Sequence, residues 1–226
     1  MDNIVALSGG QDSTFMLLAM IKKKMLIDKI VFCDTGLEFD EMYDYIKKIE
    51  KFINRSVTII RGDTFDKWFY GKWTSGKHKG IVRGWPKSCG TSWCTRELKT
   101  NPMNKLKGIV YLGIASDERH RMQKNQKYRY PLIEWNVTEK MCRNHLEKIG
   151  LLNPLYKKFN RTGCFLCPKQ PESSLEIIFN EYPDKWKIMK EYDNASPVSF
   201  KPNKSLLDLE NKFKGKQQQM LLKFAI

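Results

Sequence analysis

The sequence predicts a doubly wound α/β domain on a mostly parallel, Rossmann-like sheet, followed by a small helical C-terminal lobe. Three observations predict it. Short apolar runs of strand length alternate with helix-length stretches over residues 4 to 60; the connections between them are short; and after about Pro154 the pattern becomes helical throughout. Ile4 to Leu7 reads as a short buried strand. Thr14 to Met25 reads as a helix whose apolar residues, Phe15 to Ile21, cover most of its circumference, so it must be packed on more than one side. Lys29 to Asp34 is a second strand, and Phe39 to Ile53 a helix with Met42, Tyr45, Ile46, Ile49 and Phe52 on one face. Ser56 to Ile60 is a third strand and Lys107 to Ile114 a fourth. Helices over 171–179, 183–192 and 205–224 complete the chain. The division expected is 1–155 for the α/β domain and 156–226 for a cysteine-containing helical extension packed on it.

In an open parallel sheet the ligand lies beyond the carboxyl ends of the strands. Three segments gather at that edge: Ser8 to Ser13, Asp34-Thr35-Gly36, and Ala115 to Arg121. The long interruption at 71–106 carries eight Lys or Arg against one acid, Glu97, as an anion-facing loop would, although a solvated insert has the same composition. The whole chain has a formal charge of +15 and a pI near 9.5, which favours a polyanionic substrate or partner, nucleotide, DNA or RNA, over the alternative of a lysine-rich surface kept for solubility. No apolar stretch has the length of a membrane span, and the first residues lack a signal-peptide layout. A cytoplasmic protein is expected, with its six cysteines reduced and its clustered ones read as metal ligands or catalytic thiols rather than disulfides.

The hexapeptide Ser8-Gly9-Gly10-Gln11-Asp12-Ser13 stands where a strand becomes a helix. Glycines there let the backbone approach a ligand, and the first N–H groups of the helix point at it, so an anion is the natural occupant. The hydroxyls of Ser8 and Ser13 add donors. Asp12 would repel a bare phosphate and therefore implies a divalent cation between the two. The Gly-Lys-Ser/Thr ending of a Walker loop is absent. Among the cysteines, Cys164-x-x-Cys167 followed by Pro168 directs two thiolates at one centre. Cys94 can join them and Cys89 can supply a fourth, to hold a [4Fe-4S] cluster with four ligands, or with three and one open iron; zinc is the competing metal. Cys33, in an apolar strand, and Cys142, in an amphipathic helix, read as packed small hydrophobes. The histidines are scattered, with His120 in a candidate site loop. Arg119, Arg121, Lys124, Lys157, Lys158 and Arg161 flank the expected ligand edge, and Trp73, Trp85 and Trp93 are either stacking platforms for bases or buried.

SGGQDS resembles the signature of the PP-loop ATP pyrophosphatase superfamily, and further blocks resemble its phosphoadenosine-phosphosulfate (PAPS) reductase-like group. These are Asp34-Thr35-Gly36, Cys94-Thr95-Arg96-Glu97-Leu98-Lys99-Thr100-Asn101-Pro102, Gly113 to Arg119, Pro131 to Trp135, Asn153 to Tyr156, and Gly163 to Pro168. The resemblance spans most of residues 4 to 168 and implies an adenine nucleotide alpha hydrolase-like fold. It implies ATP and Mg²⁺ as ligands, with nucleotide contacts at Ser8, Gly9, Gly10, Gln11, Asp12, Ser13, Asp34, Gly36, Gly113 and Arg119. Asp12, Ser13 and Asp34 are the catalytic candidates, Asp34 as a further metal or ribose-edge contact. Two departures matter. No cysteine follows Cys167, where similar thioredoxin-dependent reductases carry their nucleophile, and Ala115 stands where an arginine is frequent. The expectation is an adenylating enzyme serving sulfur transfer, with a nucleic acid or other polyanion as acceptor and a protein as sulfur donor. A sulfonucleotide reductase and a non-catalytic nucleotide- or nucleic-acid-binding module are the alternatives.

Overall fold

The computed structural model describes residues 1–88, 90 and 92–224, with the side chains of 220–224 left aside. The chain folds as two compact units: 1–62 with 98–163, and 63–97 with 164–226.

The first unit carries a five-stranded sheet in the order β3-β2-β1-β4-β5, every neighbouring pair parallel. Its strands are β1 (Asp2–Ala6), β2 (Lys29–Asp34), β3 (Thr58–Arg61), β4 (Gly108–Leu112) and β5 (Tyr128–Arg129). Adjacent residues of the central strands, Ile4 and Val5 in β1 or Ile30, Val31 and Phe32 in β2, are all buried, so both faces of the sheet are covered. Between β1 and β2 lies α1 (Gln11–Lys22), and between β2 and β3 lies α2 (Asp40–Ile53). The second of these buries Met42, Tyr45, Ile46 and Ile49 of its predicted apolar face but leaves Phe52, in its last turn, 56% exposed; it stops at Asn54, whose left-handed backbone (φ 50°) asparagine tolerates better than most side chains. Of α1, Met16, Leu17 and Met20 are fully buried, and it packs against α5 (Pro131–Glu134) and α6 (Glu139–Lys148). One core cluster joins Ile4, Val31, Val110 and Tyr128 of the sheet to Met103, Tyr130 and Ile133.

Helix α1 begins at Gln11, three residues before the predicted start, because Gly10 is still extended and the Gln-Asp-Ser of the loop already forms the first turn. Strand β5 was not expected: two residues between polar neighbours carry no periodicity to read.

The second unit contains α3 (Phe65–Phe69), followed, after α4 (Asn101–Lys105) in the first unit, by α7 (Glu172–Glu181), α8 (Pro183–Ala195) and α9 (Leu206–Phe224). Instead of a contiguous break near residue 155, the segment 63–97 belongs with these C-terminal helices. The reason is aromatic. Phe65 and Phe69 pack on Trp85 and Tyr192, Trp93 packs on Phe65, and Trp85 meets Phe200. The Trp85 indole N–H donates to Asp193 at 2.8 Å. Burial of such rings outweighs the polar composition of the segment around them. Trp186, Phe179 and Phe213 form a further cluster between α7, α8 and α9, where the buried Glu210 pairs with Lys190 and Lys214. Among the described residues no helix is long and apolar enough to cross a membrane.

Candidate functional site

The strand order reverses at β1, with β2 on one side and β4 on the other, and such a reversal opens a crevice beyond the carboxyl ends of the two diverging strands. The hexapeptide leaves β1 at this point. Gly9 takes φ +75°, a conformation L-residues avoid, and turns the chain into α1. Gly10, the residue before the helix, offers no side chain to cap it. The two serines brace the loop from inside. The Ser8 amide donates to Ser13 Oγ at 3.1 Å, the two hydroxyl oxygens lie 2.9 Å apart, and the Gly10 amide reaches Ser8 Oγ at 3.4 Å. Their first role is therefore to hold the turn's shape.

Two side chains from the Asn153-Pro-Leu-Tyr156 block clamp the loop from outside. Asn153, fully buried, donates from Nδ2 to the Gly9 carbonyl at 2.9 Å, and the Tyr156 hydroxyl accepts the Gln11 amide at 3.1 Å. At the carboxyl end of β4, Gly113 abuts the helix backbone, so that a Cβ built there would lie 2.5 Å from Ser13 Cα. The loop is thus enclosed by two distant segments that the sequence aligned only as separate blocks.

Asp12, half-buried in the first turn of α1, faces Glu118 and Glu139, and one ligand oxygen from each of the three lies within 4.8 Å of the others. Asp12 Oδ1 is enclosed with no hydrogen-bond partner. Burial, then the charges of Glu139, Glu118 and Asp117, push the Asp12 pKa up to about 7, against the opposing hydrogen bond from Cys142. Burial and the neighbouring acids raise Glu139 as well. Three carboxylates this close, two of them with raised pKa, suit a hard divalent cation with oxygen ligands. Glu118 lies in the Gly113 to Arg119 block, but neither it nor Glu139 stands out in the sequence as a ligand, because no spacing links residues so far apart. Cys142 is completely buried as expected, yet its thiol also touches Asp12, a contact invisible to a period-based reading.

Asp34, at the end of β2, is 1% exposed and fully engaged. Its Oδ1 accepts from the Gly36 amide and the Tyr43 hydroxyl, both at 2.8 Å, while Arg61 forks onto Oδ2 at 2.8 and 2.7 Å. Burial alone would raise its pKa, but the bonds from Gly36, Arg61 and Tyr43 outweigh it and hold the carboxyl below the ordinary value. In this arrangement Asp34 shapes the turn through Gly36 and has no lone pair directed at a ligand. Asp34→Asn should therefore destabilise the first unit by about 2 kcal/mol, the value of charge-assisted bonds to a buried carboxylate; an unchanged urea midpoint would show that these bonds contribute nothing net. Arg119 lies exposed on the turn Ser116–Arg121, whereas Arg121 pairs with Glu118.

The sequence model of the phosphoadenosine phosphosulfate reductase domain matches residues 2–170. The chain belongs to this family. Two uncharacterized proteins of Methanocaldococcus jannaschii are 27% and 25% identical to it over 84% and 79% of the chain, and the chain spans less than half their length, 42% and 45%. An uncharacterized nin region protein of Escherichia phage lambda is 27% identical, over 80% of this chain and 74% of its own. Among solved structures, phosphoadenylyl-sulfate reductase from Candida auris has the same fold, with a TM-score of 0.50 at 13% identity over 73% of this chain and 82% of that one. The U34-tRNA thiolase NcsA from Methanococcus maripaludis, solved with its [4Fe-4S] cluster, superposes at a TM-score of 0.44 with 16% identity, over 86% and 71% of the two chains.

The part of the PAPS reductase domain that ends at residue 170 includes the predicted cysteine ligands. Cys94, Cys164 and Cys167 are half-buried and lie in one compact unit, far apart in sequence; Cys89 lies outside the described residues. The Cys164–Cys167 turn is built to hold its shape: Gln170 donates its amide N–H to the Cys167 carbonyl at 3.1 Å and its Nε2 to the Cys164 carbonyl at 2.9 Å, while Lys201 Nζ donates to the Pro168 carbonyl at 2.9 Å. A half-buried thiol pair on a braced turn fits a thiophilic metal centre by its donor chemistry. Trp85 and Trp93 are buried, at 4% and 9% exposure, and Trp73 is not, at 36%.

Proposed function

We propose that this chain is an ATP pyrophosphatase that adenylates an acceptor and serves sulfur transfer to nucleic acid with the help of an iron–sulfur centre. The observation that carries the proposal is the first crossover, where a glycine-turned helix N-terminus at the sheet's reversal point stands beside the enclosed, unpartnered oxygen of Asp12. Amides at the start of α1 suit the negative charge that grows on departing pyrophosphate, and they are already oriented, so no reorganisation is needed when the bond between the α and β phosphates breaks. Ser8 and Ser13 keep the loop in that shape, and Asn153 and Tyr156 fix it against the sheet. Magnesium held by Asp12, Glu118 and Glu139 would neutralise phosphate charge there. A [4Fe-4S] cluster on Cys94, Cys164 and Cys167 would leave one iron open for holding sulfide, whereas Cys89 as a fourth ligand would close it into a structural cluster; zinc is the competing metal. The +15 charge supports a nucleic-acid acceptor.

Incubation with ATP, Mg²⁺ and RNA or DNA is expected to yield AMP and pyrophosphate, and ADP as the sole product rejects the mechanism. Anaerobic purification with iron and sulfide analysis tests the cluster; stoichiometric zinc, or no metal, removes the sulfur-transfer half. The family match itself favours a second reading, reduction of a sulfonucleotide. It predicts sulfite from PAPS and a dithiol.

A further inference from the structure

The basic segment left aside by the ATP site is an ordered hairpin. The Gly84 amide donates to the Phe69 carbonyl at 3.0 Å, the Arg83 amide to Gly71 at 2.9 Å, the Trp73 amide to Ile81 at 2.9 Å and the Gly80 amide to Trp73 at 2.8 Å. Its geometry is reinforced by a stack: the Arg83 guanidinium sits 4.8 Å from the centre of the Trp68 ring and 5.3 Å from that of Trp73. Trp68 is itself oriented by its indole N–H, which donates to Asp63 Oδ2 at 2.9 Å. Trp73 nonetheless stays 36% exposed and Tyr70 51%, with Lys72, Lys77, His78 and Lys79 exposed around them.

The charge on this hairpin differs in kind from that on the rest of its unit. Between Asp66 and Glu97 the sequence holds seven Lys or Arg and no acid. Among the C-terminal helices several lysines are matched: Lys204 and Lys212 pair with Glu172, Lys216 with Glu176, and Lys190 and Lys214 with Glu210. Among the described residues, Lys72, Lys77 and Lys79 have no such carboxylate. A surface kept basic merely for solubility would not separate its lysines this way. Unneutralised cations interleaved with a pre-oriented indole match the two demands of an unpaired nucleic-acid strand, phosphates at regular intervals and flat bases seeking a ring to stack on. A duplex would offer the phosphates but keep its bases stacked internally.

We propose that the hairpin 71–84 is a docking surface for a single-stranded segment of nucleic acid, with Trp73 stacking on a base and Lys72, Lys77, Lys79 and Arg83 meeting its phosphates. This deepens the nucleic-acid acceptor reading above and rests on it.

The test is fluorescence anisotropy of the full chain with a labelled oligouridine, the corresponding oligothymidine and a mixed-sequence duplex, without ATP and over a range of salt. Both single strands should bind more tightly than the duplex, with a log–log salt slope of roughly −2 to −3 for about four phosphate contacts. Trp73→Ala should weaken single-strand binding about tenfold while Trp73→Phe retains most of it. The triple change Lys72→Gln, Lys77→Gln, Lys79→Gln should make the slope shallower by about 2. Wild-type affinity in Trp73→Ala together with the triple variant overturns the proposal, as does equal binding of duplex and single strand. So does capture by phosphatidylserine vesicles in place of oligonucleotide. Pyrophosphate release, assayed separately, divides the two readings: turnover without oligonucleotide binding counts against the hairpin alone, and binding without turnover against the ATP chemistry alone.

Discussion

Gly113→Ala is expected to collapse nucleotide binding and to cost the first unit about 3 kcal/mol or more of stability, at the severe end of overpacking changes. The added carbon would lie 2.5 Å from Ser13 Cα, 2.6 Å from Ser13 N and 3.0 Å from the Asp12 carbonyl carbon. All three are backbone atoms of the first turn of α1, so no rotamer change relieves the clash; β4 and the helix must separate, and the loop's amides move with them. Gly9→Ala is the informative comparison. There the nearest atom is the Met42 sulfur at 2.2 Å, the end of a flexible side chain, and the main penalty is the left-handed backbone, about 1–2 kcal/mol. Urea denaturation and equilibrium binding of ATP check both. A Gly113→Ala protein with wild-type midpoint and affinity would mean that β4 does not close on the loop.

Asp12→Asn is expected to separate stability from activity. A carboxyl whose native pKa is raised from 3.8 to about 7 keeps a proton in the folded protein that the unfolded chain has already released. Without a divalent cation, the stability of the wild-type chain therefore falls as pH rises through that window, and above it the full penalty of an ionised, crowded carboxylate is present. Asparagine carries no such charge. In chelator, the variant should match wild type near pH 4 and exceed it above pH 7 by on the order of 2–4 kcal/mol. Magnesium should restore the wild type and leave the variant unmoved, because its counter-charge is useful only against the carboxylate. Pyrophosphate release should drop at least a hundredfold, in line with loss of a preorganised electrostatic contact. Thermal melts at the two pH values, with chelator or Mg²⁺, read the first effect and a pyrophosphate assay the second. A variant less stable than wild type at pH 8 in chelator would show that Asp12 is not held against its neighbours' charge.

How much of this was legible beforehand depends on the range over which each feature is encoded. The glycine turn at Gly9 and Gly10, strand β2 and most of the buried face of α2 are set by neighbours a few residues away, and they read from period and turn chemistry, although Phe52 is exposed and the helix starts at Gln11. Asp34 was legible as a residue at the carboxyl end of β2 but not in its bonding, since Tyr43 and Arg61, which absorb its oxygens, come from two other elements. Trp73, Trp85 and Trp93 look alike in sequence; two are buried in the aromatic cluster of the second unit and one is not, a distinction made by Phe65, Phe69 and Tyr192.

By itself, then, the sequence determined the parallel α/β architecture, the position of the glycine-turned loop and the family to which the chain belongs, because these depend on local periodicity and on contiguous blocks. The tertiary structure alone decided that Glu118, Glu139 and Cys142 gather around Asp12, and that segment 63–97 belongs with the C-terminal helices. The physical reason is the same in both cases. Which distant side chains meet, the acids and thiol around Asp12 or the rings of Phe65, Phe69, Trp85 and Tyr192, is decided when the chain folds, and such pairing between remote segments leaves no mark on local residue spacing.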